Sequence, residues 1–170
     1  MSGPGFIVPP RKKVDIYAYA SNVRNFFAPL ITKEGKLRID VVYELLPDVI
    51  PEFELQIREE WEMGADHGRT FPDKKLIHLR KDVYDGMCQG KGRDRFTAAH
   101  ELGHLFLHTN IGFARAMDSS TKIYCDSEWQ ANTFGSALLI DELNLKLCRS
   151  IEEVAERFGV TWEAAKVRFK

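Results

Sequence analysis

The stretch RFTAAHELGHLFLH, residues 95–108, decides how this chain is read. Phe96, Ala99, Leu102, Phe106 and Leu107 recur at helical intervals, which predicts a helix over residues 93–108. His100 and His104 stand four residues apart, so that helix stacks them on one face in neighbouring turns. Two imidazoles so placed can hold one Zn²⁺. Glu101 lies about a third of a turn round, where it reaches a water beside the metal without ligating it. The pattern is H-E-x-x-H, the metal-hydrolase helix.

A catalytic zinc needs a third protein ligand and an open position. His108 continues the four-residue spacing, but eight residues rise about 12 Å along a helix, against zinc–nitrogen bonds of about 2 Å. His108 is therefore read as the C-terminal residue of the helix, complementing its dipole. The metzincin extension fails as well, because Leu107 and Asn110 stand where it requires glycine and histidine. His67, His78, Cys125, Asp126 and Glu128 remain as donors. Glu128 is the best placed. It opens a second predicted helix over residues 127–140, capped by Asp126. Ala131 and Asn132 share its face, and Gly135 there and Gly103 on the first helix permit close approach. Spacing alone leaves two readings of Glu128 open, a metal ligand or a first-turn acid favoured by the helix dipole. Cys125 is read as a small loop thiol.

Outward from these helices the pattern is mixed. Residues 1–12 hold Gly3, Pro4, Gly5, Pro9 and Pro10 and predict a flexible lead-in, leaving 13–170 as one domain. A helix is expected over 14–30, closed by Pro29, and a short one over 40–46, stopping before Pro47. Phe53, Leu55 and Ile57 alternate with polar residues and predict a strand within 51–63. Residues 64–72 read as turn, and 75–80 as a second strand pairing antiparallel with the first. A helical turn and a loop follow over 81–92, and another loop over 111–124. Ser150 and Glu153 have capping-box spacing before a helix ending at Gly159, and 161–170 form a last helix. The expected fold class is α+β, mostly helical with a small antiparallel sheet.

Composition narrows the function classes. The 170 residues carry 24 Lys plus Arg against 25 Asp plus Glu, a net charge of -1, which argues against a nucleic-acid-coating protein or a polybasic membrane binder. Residues 149–170 have the cadence of a helix-turn-helix. Their basic residues Arg149, Arg157, Lys166, Arg168 and Lys170 are offset by Glu152, Glu153, Glu156 and Glu163. That segment lacks a basic stripe, so a packing helical pair is expected and direct nucleic-acid binding is not. Cys88, Cys125 and Cys148 are widely spaced and form no CxxC, which suits a reducing cytoplasm. No signal peptide or bilayer-spanning stretch is expected, and hence no membrane partner.

Residues 95–108, followed by EWQANTFGSALLI at 128–140, resemble the ImmA/IrrE metallopeptidases, gluzincin-like zinc peptidases of bacteria, phages and mobile elements. The family pattern pairs R-F-T-x-A-H-E-x-x-H with a later E-x-x-A-N-x-F-A-x-x-L-L. Arg95, Phe96, Thr97, Ala99, His100, Glu101 and His104 match the first part, and Glu128, Ala131, Asn132, Phe134, Leu138 and Leu139 the second. The resemblance spans roughly residues 38–168. Gly135 replaces the commoner alanine. Ile140 and Asp141 stand where the family usually has Met-Pro, a change expected to alter the wall of the substrate cleft.

The resemblance implies a zincin-like domain with one Zn²⁺ per chain, or another divalent metal, on His100, His104 and Glu128. Glu101 would then be the general base and acid of peptide-bond hydrolysis. Asn132 either orients a metal-bound histidine or hydrogen-bonds between helices. Tyr124, His67 and His78 are the candidate donors to the developing oxyanion, His78 from a predicted edge strand where a peptide could pair. The implied substrate is a helix-turn-helix (Xre-type) repressor of a mobile element or stress response. The competing expectation is a non-proteolytic zincin scaffold that binds its partner in a toxin–antitoxin or regulator pair.

Overall fold

The helical period of the opening stretch is realised over 17 residues, Gly92–His108, and the rest of the fold is arranged around that helix. A computed structural model describes residues 5–111, 115–116 and 118–169. In chain order the described elements are β1 (Phe6–Ile7), α1 (Lys13–Phe26), α2 (Ile39–Val49), β2 (Glu54–Arg58), α3 (Glu60–Met63), β3 (Gly68–Phe71), β4 (Leu76–Arg80), α4 (Lys81–Cys88), α5 (Gly92–His108), β5 (Arg115–Ala116), α6 (Ser127–Leu139), α7 (Glu142–Leu145), α8 (Ile151–Phe158) and α9 (Trp162–Arg168). The chain is a single, mostly helical α+β domain. No described helix is long and apolar enough to cross a membrane.

Helices α5 and α6 make the most extensive contact in the fold. Small residues set how near they come. A Cβ on Gly103 would lie 2.8 Å from the Ala131 carbonyl oxygen, and one on Gly135 would lie 3.0 Å from the His100 backbone nitrogen. Backbone therefore rests on backbone at two successive turns. Helix α1 packs against α6 through the buried Ile16 and Ala20, and Tyr43 of α2 donates to the Ala98 carbonyl at 2.8 Å.

The sheet corrects the expected topology. Strand order is β2-β4-β3, with β2 parallel to β4 (Glu54↔Leu76 through Arg58↔Arg80) and β3 antiparallel to it (Gly68↔Leu79 through Phe71↔Leu76). The sheet is mixed, not antiparallel. The reason is β3, which occupies a stretch that Gly68 and Pro72 make look like turn. A strand there brings the chain back along the edge, and a tight turn with Lys75 in the left-handed region feeds β4 between the other two. Strand β4 is thus central, so His78 is not on an edge. Ile77 and Leu79 face α5 and are fully buried, which puts His78 on the outer face, against the Phe71 ring.

Smaller departures have local causes. Helix α2 runs through Pro47 to Val49, because a proline in the last turn forfeits only one ladder bond and Ile50 N–H still reaches the Leu46 carbonyl at 2.7 Å. Helix α1 ends at Phe26, with Pro29 in a separate short turn, and α4 has two turns where one was expected. Residues 6–11 are docked: β1 pairs with β5, Val8 N–H donates to the Cys125 carbonyl at 2.8 Å, and Arg11 N–H donates to that of Tyr124 at 3.1 Å. Part of the loop expected over 111–124 lies outside the described residues.

The C-terminal pair packs into the core. Ser150 caps α8 by accepting from Glu153 N–H, the Glu153 carboxylate accepts from Arg149 N–H at 2.7 Å, and Thr161 caps α9. Val154, Phe158 and Ala165 are buried without remainder. Arg95 of α5 fastens the pair. Its buried guanidinium donates to the carbonyls of Gly159 (2.8 Å), Leu37 (3.0 Å) and Phe158 (3.1 Å). Replacing it by methionine (Arg95→Met) leaves those carbonyls without that donor. A loss of roughly 3 kcal/mol or more is expected in urea unfolding, where a change below about 1 kcal/mol would show that solvent reaches them.

Candidate metal centre

Helix α5 presents His100 and His104, and the first turn of α6 presents Glu128, whose backbone N–H is capped by Asp126 at 2.9 Å. The two imidazole Nε2 atoms lie 3.0 Å apart. Glu128 Oε2 is 3.2 Å from Nε2 of His100, and Oε1 is 3.1 Å from Nε2 of His104. Among the described residues this is the group able to hold a metal ion. The donor set fits zinc. One ligand atom from each residue lies within 4.8 Å of the other two, and two histidine nitrogens with a carboxylate oxygen are a donor set that zinc takes. His100 Nδ1 meets the Asn132 carbonyl oxygen at 2.8 Å, an acceptor that needs the ring proton there and leaves the Nε2 lone pair toward the cluster. This bond joins α6 to α5 and falls on a candidate metal ligand, so the two readings of Asn132 describe one contact.

Glu101 lies beside these donors and is buried. Thr70 of β3 holds it, its hydroxyl 2.6 Å from Oε2 and 3.1 Å from the Glu101 carbonyl oxygen. Gly68, two residues earlier, leaves the space the carboxylate fills, since a Cβ there would come within 2.6 Å of Oε1. Burial raises the Glu101 pKa above the usual carboxylate value, against the pull of His100, His104 and Thr70. A cleft of about 100 Å³ opens at this point, lined by His67, Gly68, Phe96, Thr97, His100, Glu101 and Asn132.

Of the three expected oxyanion donors, His67 alone lines that cleft, with the Arg93 guanidinium 3.0 Å from its Nε2. Tyr124 is 43% exposed in the turn before α6 and does not line it. His78 lies on the central strand, projects from the sheet face opposite Glu101 and does not line the cleft. His108 does not complement the helix dipole either. It is buried against His104 and Gln130, and burial, with repulsion from His104, pushes its pKa down to about 4, so it carries no charge at neutral pH. Asp141 does not line the cleft. It caps α7 and forms a 3.0 Å ion pair with the buried Arg24, which also donates to the Leu138 carbonyl. The site residues that sequence reasoning missed are Thr70 and Gly68, on the unrecognised strand, and Gln130, on the expected helix but without a motif.

Residues 56–170 match the IrrE N-terminal-like domain, a peptidase family, over more than half of the chain. The chain belongs to that family. This IrrE N-terminal-like domain is 29% identical over 94 residues to metallopeptidase ImmA of Bacillus subtilis (strain 168), a match covering 52% of this chain and 51% of ImmA. Its fold is similar to that of a Mycobacterium tuberculosis transcriptional regulator, with a TM-score of 0.60 and 19% identity over 91% of this chain and 46% of the other. The chain therefore spans about half the length of the relatives it matches. The His100, His104 and Glu128 cluster lies within the matched region and is consistent with the metal site of a metallopeptidase family.

Two outcomes follow for metal binding. Glu128→Ala should lose the metal, and unchanged metal content by elemental analysis would remove Glu128 from the site. Burial pulls the His100 imidazolium pKa down, but the hydrogen bond and charge of Glu128, with Glu101 and Asn132, leave it raised above 6.5. Below that raised value a proton occupies the lone pair the metal needs. Affinity should therefore fall as pH drops, by up to about tenfold per pH unit, beginning above pH 6.5. Chelator competition measures this, and a flat affinity through that range would contradict it.

Proposed function

We propose that the chain is a zinc-dependent endopeptidase that hydrolyses a peptide bond in a protein substrate. One observation carries this: a buried carboxylate, Glu101, is held by Thr70 beside three converging donors, with a cleft opening onto it. When bound, zinc would lower the pKa of a water and polarise the scissile carbonyl. Glu101 takes the proton of the attacking water, helped by the burial that raises its pKa, and delivers it to the leaving amine. His100 is kept in the ligating tautomer by Asn132. Strand β3 is an edge whose Gly68 and Thr70 stand over Glu101, so an extended peptide pairing with it would pass across the carboxylate. His67 is the donor within reach of that path.

The proposed substrate is a helix-turn-helix repressor or antitoxin, which is what the resemblance of residues 95–108 and 128–140 to the ImmA/IrrE peptidases implies. The proposed compartment is the cytoplasm, supported by three cysteines that form no disulfide. The test is co-expression with a helix-turn-helix repressor encoded next to this chain's gene, read by mass. Wild type should yield two fragments, while Glu101→Gln retains zinc and leaves the partner whole. A partner left intact by the zinc-loaded wild type would overturn the endopeptidase reading and favour a scaffold that acts by binding.

A further inference from the structure

The metal ligands are oriented by two different devices. His100 is met at Nδ1 by Asn132. His104 is set through His108 and Gln130, which are not among the fixed residues of the H-E-x-x-H and E-x-x-A-N patterns.

The second device begins at Gln130, which is fully buried. Its Nε2 is 2.9 Å from the Pro9 carbonyl oxygen and 2.8 Å from that of Tyr124. Both partners are acceptors only, so both amide protons are used and Oε1 must face the other way. There it lies 3.2 Å from His108 Nε2. An acceptor at that nitrogen requires a proton on it, and a neutral imidazole so protonated has a bare Nδ1. His108 Nδ1 is 3.0 Å from His104 Nδ1. A single proton fits between two ring nitrogens, and here His104 has to supply it. His104 then carries its proton on Nδ1 and turns a free Nε2 lone pair toward Glu128 and His100.

We propose that Gln130 and His108 form a directional hydrogen-bond relay that fixes the tautomer and ring orientation of His104 for metal binding, tying that ligand to the N-terminal segment through Pro9. His108 and Gln130 are positioning residues, not ligands. The direction of every link follows from the two carbonyls at its start, and reversing any link would leave two donors or two acceptors face to face. The segment that starts the relay is itself pinned by Val8 N–H to Cys125 and Arg11 N–H to Tyr124. Alternate residues of α6 thus serve three parts of one site: Glu128 as ligand, Gln130 at the relay and Asn132 on His100.

The proposal rests on the metal-site reading, and its test separates the two. The full chain, loaded with Zn²⁺ and labelled with ¹⁵N at histidine, is examined by long-range ¹H–¹⁵N correlation. His104 should be protonated on Nδ1, and His108 on Nε2 only. In His108→Ala, Zn²⁺ affinity by chelator competition should fall about 10- to 100-fold, with thermal unfolding of the metal-free protein reporting whether the fold is kept. A wild type that binds no Zn²⁺ overturns the metal site itself. A wild type that binds Zn²⁺ with His108 protonated on Nδ1, or a folded His108→Ala that binds as tightly, overturns the relay alone. If His108→Ala does not fold, the wild-type spectrum decides.

Discussion

The rest of this structure depends on the backbone contact between α5 and α6. Glu128 has a short side chain compared with the width of a helix, about 10 Å with side chains, so it meets His100 and His104 only if the two helices nearly touch. Gly103 against Ala131 and Gly135 against the backbone before His100 provide that approach. Any larger side chain would push the carboxylate away from the imidazoles, whatever the quality of the surrounding core. The same closeness brings Asn132 and Gln130 within hydrogen-bonding range of two histidines on the facing helix.

Around that contact the buried polar groups are satisfied in ways that also direct them. Thr70 steadies Glu101, Asn132 fixes His100, and Gln130 with His108 fixes His104. A buried polar group without a partner costs free energy, so stability and orientation are served by the same bonds. Arg24 and Arg95 do comparable work further out, satisfying backbone carbonyls at the ends of α6 and α8. Arg95 belongs to the HExxH helix, so the C-terminal pair is locked to the element that carries the site.

The legible parts of the sequence were those governed by local periodicity. The helix around His100, the cap at Asp126 and the cap at Ser150 each follow from residues within a turn or two of one another. The exclusion of His108 as a ligand is likewise a matter of helical rise. Strand β3 escaped because four residues that include Gly68 carry little strand signal, and its partner β4 is needed to order it. Missing it inverted the pairing of β2 with β4 and put His78 on an edge it does not occupy.

By itself, then, the sequence determined which side chains can share a helix face, because a 3.6-residue period is a property of the backbone and needs no partner. His100, Glu101 and His104 were placed relative to one another on that ground. Tertiary structure decided what comes from outside that helix: how near the α6 carboxylate approaches, the threonine from β3, the Gln130 amide that sets His108 and the face on which His78 lies. Those depend on contacts between residues as far apart as Thr70 and Glu101, or Pro9 and Gln130. Such contacts are set by how elements pack, a choice that the local pattern of any one element does not contain.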